Sequence, residues 1–384
     1  MLAKIFDKKH LWFNFNLIVC LTLVFCFWLI WIYSLLFQPR LIVVWLQNND
    51  EIRATGGFLG SVVWLETRGV FPQTFEVRDI YEVGGHLRQY IAAPPPVARF
   101  LSGGGPWRLQ DSNWDRDFPT SAQRFSDFLV LADFPRPDLI VALNLNLMEQ
   151  IIDQVGGIVV EHRGQPFLLT SANFYDVARA RRPRAAPYDF PKMDLLRAAK
   201  ASLMERFKEL SFQEKIGLLA LIHGEAMLGN IQFFSPNFAL QTFFVQSGVA
   251  GNLIDQSGIQ DIYIFDSNVG INKINRFIDR QATLTSEGTT AQININWQNF
   301  CSVVDFDLQG CTYGNYFRII LDSETTLVDM VKNGEEVFDW DEREVVDGVG
   351  QVWREIGFLM LMSPMTTSHL EINLIGETNS WNWR

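Results

Sequence analysis

Cysteine and histidine are scarce in this sequence, with four cysteines and five histidines among 384 residues. No C-x-x-C pair and no cysteine–histidine set with zinc spacing occurs, which excludes the common structural zinc sites. The motifs G-x-x-x-x-G-K-[ST], H-E-x-x-H and G-x-S-x-G are also missing. The usual phosphate loop, zinc-protease helix and serine-hydrolase elbow are therefore excluded.

An excess of basic residues is missing as well, because the formal net charge at pH 7 is −11. The acidity is concentrated after residue 300, where the sequence has 15 acidic residues and 5 basic residues. Nucleic-acid binders carry a basic face instead, so we predict no nucleic-acid partner. The uneven charge also favours at least two units of different character.

Charged residues are absent from residues 17–37, a run of 21 apolar and aromatic residues. About 20 such residues are enough to cross a bilayer, so the run predicts a transmembrane anchor. Lys4, Lys8 and Lys9 precede it, which predicts that residues 1–16 are cytoplasmic and that the rest of the chain lies outside the cell membrane. A cleaved signal peptide is the alternative, but "YSLLFQPR" offers no small-residue cleavage site.

Two cysteines, Cys301 and Cys311, lie outside the predicted anchor. In an oxidising compartment they could close a small loop as a disulfide. Two free core thiols are the alternative that the sequence leaves open.

The hydrophobic patterns predict two folded units after the anchor. "LIVVWLQ", "GFLGSVVWLE" and "FPQTFEVRDIYEV" predict three strands that pair in order. Strands and helices then alternate, which is typical of a mixed sheet flanked by helices, so we predict an α/β domain over residues 40–282. From residue 283 to 384, short alternating segments predict an acidic, all-β, sandwich-like domain.

Two small charged clusters stand at the ends of predicted strands. Asp50, Glu51 and Arg53 lie in "NNDEIRATGGFLGS", residues 48–61, beside a glycine pair that would let a ligand approach the backbone. A solvated hairpin is the alternative there. Arg78 and Asp79 end the third strand, where a simple strand-edge charge pair is the alternative reading.

A third cluster is rich in arginine. Guanidinium groups bind phosphate with two hydrogen bonds at once, and a row of them could neutralise a diphosphate. A basic loop that rests near anionic lipid headgroups is the alternative. The residues concerned are Arg179, Arg181, Arg182 and Arg184, followed by Asp194 and Arg197 at the start of a helix.

Three motifs in the chain are similar to those of a bacterial membrane-anchored family, number 4012 among the domains of unknown function. They are residues 48–61, the segment "DSNWDRDFPTSA" at residues 111–122, and "SNVGINK" at residues 267–273. The resemblance extends roughly over residues 40–370 and implies no established activity.

The chain also resembles, more distantly, the LytR-CpsA-Psr family. These membrane-anchored enzymes move glycopolymers from a polyprenyl-diphosphate carrier to the cell wall. Their "S-I-P-R-D", "y-a-R-x-R" and "D-x-x-R-x-x-R-Q" segments are similar, in the same order, to "FEVRD", "DVARAR" and "DLLRAAKA" here.

This second resemblance implies a phosphotransferase whose partners are a polyprenyl-diphosphate-linked glycan and peptidoglycan, with Mg²⁺ as a cofactor. The implied diphosphate-binding residues are Arg53, Arg78, Arg179, Arg181 and Arg197. The implied catalytic residues are Arg78, Asp79 and Asp194, and the implied Mg²⁺ ligands are Asp50 and Asp79.

The chain departs from the second family at two places. The family has "R-S-D-T" where this chain has "RATG", so Arg53 has a counterpart and the metal-binding Asp has none. Ala201 replaces the closing Gln. The sequence therefore leaves two functions open, a glycopolymer phosphotransferase and a non-catalytic envelope protein that binds a ligand or a partner.

Overall fold

The structure is a computed structural model that describes residues 39–69, 71–162, 165–179, 192–256, 258–302 and 308–383. The predicted anchor, residues 17–37, and the predicted cytoplasmic segment before it lie outside these residues. Within the described ranges, the helices are too short or too polar to span a bilayer.

Strands and helices alternate up to residue 246, and strands predominate afterwards. The strands are β1 Pro39–Asn48, β2 Phe58–Arg68, β3 Phe71–Asp79, β4 Leu139–Asn144, β5 Ile158–His162, β6 Gln165–Leu169, β7 Ile231–Phe234, β8 Gln260–Phe265, β9 Ile278–Glu287, β10 Thr290–Asn299, β11 Tyr313–Leu321, β12 Thr326–Lys332, β13 Glu335–Glu336, β14 Asp341–Val346, β15 Val352–Met362, β16 Thr367–Ile375 and β17 Trp381–Trp383. The α-helices are α1 Ile80–Gly84, α2 Pro95–Phe100, α3 Phe118–Leu131, α4 Leu145–Gln154, α5 Ser171–Arg179, α6 Lys192–Glu209, α7 Phe212–Met227, α8 Phe238–Gln246 and α9 Leu308–Cys311. Short 3₁₀ helices occupy Leu109–Trp114 and Asn275–Phe277.

The first half of the chain is built on a mixed five-stranded sheet with the order β3-β2-β1-β4-β7. β1, β2 and β3 pair antiparallel in sequence order, as the sequence predicts. β4 joins β1 in parallel, and β7 closes the sheet antiparallel to β4. The mixed α/β class predicted from the alternating pattern is confirmed.

Helices cover the mixed sheet through aromatic contacts. Trp45 on β1 is fully buried and meets Phe118 and Phe125 of α3 edge-on, with ring centroids 5.3 and 5.0 Å apart. Such edge-to-face pairs add to the free energy gained by burial. In a second core cluster, the four helices α4, α5, α6 and α7 pack with the hairpin β5–β6.

The second half folds into two five-stranded sheets that share one core. Their orders are β13-β12-β16-β10-β9 and β14-β15-β11-β8-β17. Inward-facing residues such as Ile293, Phe317 and Ile372 belong to one buried cluster, which is the arrangement of a β-sandwich. β8 and the start of β9 precede residue 283, and the domain boundary at residues 282 and 283 stays a prediction.

Cys301 and Cys311 are joined by a disulfide. Both residues are fully buried in the core of the sandwich. The bond links Cys301, two residues after the end of β10, to Cys311 at the end of α9, shortly before β11.

Candidate functional site

The charged turn after β1 is buried, so neither a solvated hairpin nor an open ligand site describes it. Arg53 is only 2% exposed, and its Nη2 lies 3.0 Å from Oε1 of Glu51. Its Nη1 donates to the carbonyl oxygen of Asn268, 215 residues further along the chain, at 2.5 Å. Asp50 is also buried, and its carbonyl oxygen accepts a hydrogen bond from the backbone N–H of Asn275.

The three motifs of residues 48–61, 111–122 and 267–273 meet at this turn. Asn113 of the second motif donates to Thr55 Oγ1 at 3.0 Å and to the carbonyl oxygen of Gly57 at 2.8 Å. The backbone N–H of Asn268 in the third motif donates to the carbonyl oxygen of Ile52 at 3.0 Å. The motifs therefore fasten the mixed sheet to the connection between β8 and β9 of the sandwich.

A buried ionic network, made of Asp115, Arg124, Arg318, Arg343 and Glu355, lies beside this junction. Arg318 is fully buried and pairs with Glu355 at 3.3 Å, while Arg343 bonds both Glu355 at 2.8 Å and Asp115 at 2.7 Å. Arg124 also pairs with Asp115. Burial alone would raise the pKa of Asp115, but the arginines around it hold that pKa below its usual value.

Asp117 of the second motif bonds backbone groups from three segments. It caps α3 by accepting from the N–H of Thr120 at 2.9 Å, and it also accepts from the N–H groups of Leu253 and Gly348 at 2.9 and 3.0 Å. Burial raises the pKa of Asp117. The second motif therefore acts mainly in folding. No local sequence pattern indicates this role, because Leu253 and Gly348, which bond Asp117, lie far along the chain.

A basic cavity of about 690 Å³ opens between β3 and α6. Its cationic lining residues are Arg78 of β3 and Arg197 and Lys200 of α6, and Glu76 and Glu82 contribute carboxylates. Two of the predicted diphosphate-binding arginines, Arg78 and Arg197, are thus brought together from positions 119 residues apart in the chain. Arg53 is not part of this lining.

The guanidinium of Arg78 is held in one orientation. Its Nε and Nη2 both donate to Oε2 of Glu76, at 3.0 and 2.7 Å, and its Cζ lies 4.7 Å from the ring centroid of Trp64. Its side chain remains 30% exposed toward the cavity. Such a group is pre-organised to meet an anion and loses little conformational entropy on binding.

Arg197 and Lys200 extend the basic lining along α6. Arg197 pairs with Asp194 at 3.3 Å, with both side chains more than 60% exposed. Lys200 donates from Nζ to the carbonyl oxygen of Phe75 at 2.9 Å. Asp194, Arg197 and Lys200 follow each other at three-residue spacing, which places them along one helix face. Lys200 was not among the predicted site residues, although its spacing from Asp194 and Arg197 could have indicated it.

Asp79 is not among the residues that line this cavity. Asp79 Oδ1 accepts from the N–H of Tyr81 at 2.8 Å and caps α1. Arg179 ends α5, and Arg181 lies outside the described residues.

The two predicted Mg²⁺ ligands lie on different segments of the chain. In the mixed sheet β2 separates Asp79 from the turn that holds Asp50. Within the described ranges, no three His, Cys, Asp or Glu residues come close enough to hold a metal. The assignment of Asp50 and Asp79 to one Mg²⁺ ion, and Mg²⁺ itself, stay predictions from the resemblance.

Comparison with known families finds a match for the first part of the chain. Residues 38–182 match the DUF4012 family, described as a protein of unknown function. The predicted resemblance is thereby confirmed. The match contains the first two motifs and ends before the third. No curated protein matches the chain.

Solved structures with partial similarity include TagV, TagU and TagT. Bacillus subtilis TagV is 17% identical, covering 56% of this chain and 81% of that one with a TM-score of 0.32. Bacillus subtilis TagU is 12% identical, covering 57% and 100% with a TM-score of 0.29. A structure titled "TagT bound to LI-WTA" is 14% identical, covering 48% and 74% with a TM-score of 0.25. These are members of the LytR-CpsA-Psr family, as the motifs indicated, but the low TM-scores carry no argument about function.

Proposed function

We propose that this protein binds a polyprenyl-diphosphate-linked glycan in the basic cavity, outside a membrane in which residues 17–37 anchor it. The observation that supports the proposal is the convergence of Arg78, Arg197 and Lys200 on that cavity. Cationic side chains on two different elements suit a ligand with several phosphate oxygens.

The existing ion pairs of the cavity leave room for an anion. The pair between Arg197 and Asp194 is solvent-exposed, and exposed pairs contribute less than about 1 kcal/mol. A diphosphate can therefore replace Asp194 as the partner of Arg197 at little cost. Arg78 keeps Glu76 on one side, which aligns the guanidinium while its exposed side meets the ligand.

If the protein is a transferase, the step is a phosphoryl transfer. A hydroxyl of the acceptor glycan attacks the phosphorus that carries the donor glycan, the bond between the two phosphates breaks, and polyprenyl phosphate leaves as the hydroxyl proton is released. Arg78, Arg197 and Lys200 would stabilise the charge on the phosphate oxygens. A Mg²⁺ ion, when bound, would supply further positive charge there.

A non-catalytic binding role is the second candidate. Ala201 lines the cavity where the resemblance predicts Gln, and the carboxylate of Asp79 is engaged in capping α1. Both observations remove groups that the resemblance assigns to catalysis, while the cationic lining that binding requires is retained. Binding and turnover therefore have to be measured separately.

The test is a titration of the full chain with farnesyl diphosphate, with and without Mg²⁺, in wild type, Arg197→Ala and Arg354→Ala. Arg354 is the matched control, because it is a partly exposed arginine on β15 that pairs with Glu342 at 3.6 Å and does not line the cavity. We expect wild type and Arg354→Ala to bind equally and Arg197→Ala to bind about tenfold more weakly, as expected for one charge-assisted contact.

Equal affinity of all three chains would overturn the assignment of the cavity. Release of a monophosphate from a polyprenyl-diphosphate-linked glycan, reduced in Arg197→Ala, would select the transferase over the binding protein. Binding without release, at any Mg²⁺ concentration, would select the non-catalytic role.

A further inference from the structure

An uncharged segment of the chain carries, among the described residues of the mixed-sheet region, the most exposed aromatic side chain. Residues 226–254 contain no Asp, Glu, Lys or Arg across 29 positions. They include α8, whose sequence FALQTFFVQ is apolar on most of its circumference. A helix of this kind is normally buried in a protein core or a membrane. Yet Phe238 is 86% exposed and Phe243 is 60% exposed.

The start of α8 lies at the end of the mixed sheet where the described chain begins. Ser235, just after β7, donates from Oγ to the carbonyl oxygen of Asp138 at 2.8 Å. Asp138 in turn donates its backbone N–H to the carbonyl oxygen of Leu41 at 2.8 Å. Phe238 follows Ser235 by three residues, and Leu41 follows Pro39 by two. Phe238 and Pro39 therefore occupy the same end of the sheet.

The other edge of the sheet presents a similar surface at this end. Phe71, at the start of β3, is 58% exposed and lies opposite Arg68, which lies opposite Pro39. Arg68 is itself exposed. An aromatic residue beside an exposed arginine is typical of a surface that meets lipid headgroups, where rings sit at the interface and basic side chains reach phosphates.

The sequence indicates that a lipid bilayer covers this surface. Only Gln38 separates the uncharged run of residues 17–37 from Pro39, where β1 begins. A bilayer-spanning helix that ends at residue 37 would hold this end of the sheet within a few ångströms of the membrane. A second copy of the chain or a partner protein is not constrained to this end by anything comparable.

We propose that α8 and Phe71 insert their exposed aromatic side chains into the interfacial layer of a lipid bilayer. The mixed sheet then stands on the membrane with β1 running away from it. The inference relies on the predicted anchor and not on the ligand of the basic cavity, so either proposal can fail without the other.

The test places a fluorophore at Phe238 in the full chain, reconstituted into vesicles of phosphatidylcholine and phosphatidylglycerol. Cys20→Ser and Cys26→Ser leave only the buried disulfide, and Phe238→Cys then takes an NBD label. Tyr81→Cys is the matched control, because Tyr81 is an aromatic residue with 58% exposure just beyond the far end of β3. Nine strand residues place it about 30 Å further from the proposed membrane surface.

We expect the label at residue 238 to be quenched by spin-labelled lipid and to be several-fold less accessible to iodide in the buffer than the label at residue 81. Equal iodide quenching at the two positions would overturn the proposal. Shielding at residue 238 without quenching by spin-labelled lipid would also overturn it, because the cover would then be protein. A label at Phe243 in place of Phe238 should give the same pattern.

Discussion

Arginine has opposite surroundings in two regions of this molecule. At the junction with the sandwich, Arg53 and Arg318 are 2% and 0% exposed, and each pairs with a buried glutamate. In the basic cavity, Arg78 and Arg197 pair with exposed acids and keep 30% and 63% of their side chains open to solvent. The first pair holds segments of the chain together, and the second pair is accessible to a ligand.

The contrast shows that a charged motif alone does not indicate a binding site. The free energy of a buried ion pair depends on keeping both partners, because a lone buried charge is poorly solvated. An exposed pair contributes little to folding and can exchange partners. Substitutions at the junction should therefore change stability, whereas substitutions in the cavity should change binding.

The largest effect is expected for Arg318→Ala. This change removes one of the two arginines that pair with Glu355 and the buried donor to Ser267 Oγ and to the carbonyl oxygen of Trp114. It also removes the contact of the guanidinium with the Trp114 ring, whose centroid lies 3.8 Å from Cζ. We expect the free energy of unfolding to fall by about 3–5 kcal/mol. Urea unfolding monitored by tryptophan fluorescence measures it, with Arg354→Ala as a control that should lose less than about 1 kcal/mol. Similar losses in the two variants would contradict the comparison.

A pH-dependent effect is expected at Asp111, also at the junction. Burial raises the pKa of Asp111 from 3.8 to about 6, and nearby Arg53 opposes part of this rise. Between these pH values the unfolded chain releases a proton that the folded chain keeps, so stability falls as pH rises through this window. Asp111→Asn should therefore be more stable than wild type at pH 7, by up to about 3 kcal/mol.

The control for Asp111→Asn is the same comparison of variant and wild type at a lower pH. At pH 3.5 the carboxyl is mostly protonated in both states, so the two chains should differ little in free energy of unfolding. An equal gap at both pH values would show that the amide acts through packing instead of titration.

Alanine substitutions at two glycines test the close contact between Gly57 and the backbone of Asn48 within the first motif. A Cβ added at Gly57 would lie 2.6 Å from the backbone carbon of Asn48, whereas one added at Gly224 of α7 meets nothing within 4 Å. We expect Gly57→Ala to lose about 2 kcal/mol of stability through overpacking. Gly224→Ala should gain up to about 1 kcal/mol, because alanine favours helices. Thermal unfolding of both variants checks the difference in sign.

The smallest effect on stability is expected for Arg197→Ala in the cavity. Its ion pair is exposed, so we expect a loss below about 1 kcal/mol. Denaturation of the variant, measured beside the diphosphate titration, separates a binding defect from a folding defect. A loss comparable with that of Arg318→Ala would mean that the cavity arginine is structural.

The sequence was sufficient to predict β1 to β3 and their order. Runs of β-branched and aromatic residues bounded by turn residues marked these strands, and short connections favour antiparallel neighbours, so their pairing followed. The parallel insertion of β4 beside β1 and the inclusion of β8 in the sandwich were not predicted. Both depend on long-range pairing, which period-two patterns do not encode.

The site was predicted in part for a related reason. Arg78 and Arg197 were selected by motif similarity, and they reach one cavity. Arg53 was selected by the same reasoning, but its partners are Glu51 beside it and the backbone of Asn268, which only the folded chain brings near. Nothing local distinguishes an arginine that will be buried by a distant segment from one that will face solvent.

The pairing of β17 with β8 has a consequence for biosynthesis. Every residue of β8 is buried, and its outer edge is covered by Trp381–Trp383 in parallel register, with Asn382 donating to Asp261 at 2.7 Å. Until residues 381–383 have left the ribosome, β8 presents an unpaired edge. The nascent chain therefore needs protection from association with its neighbours while the residues between β8 and β17 are synthesised.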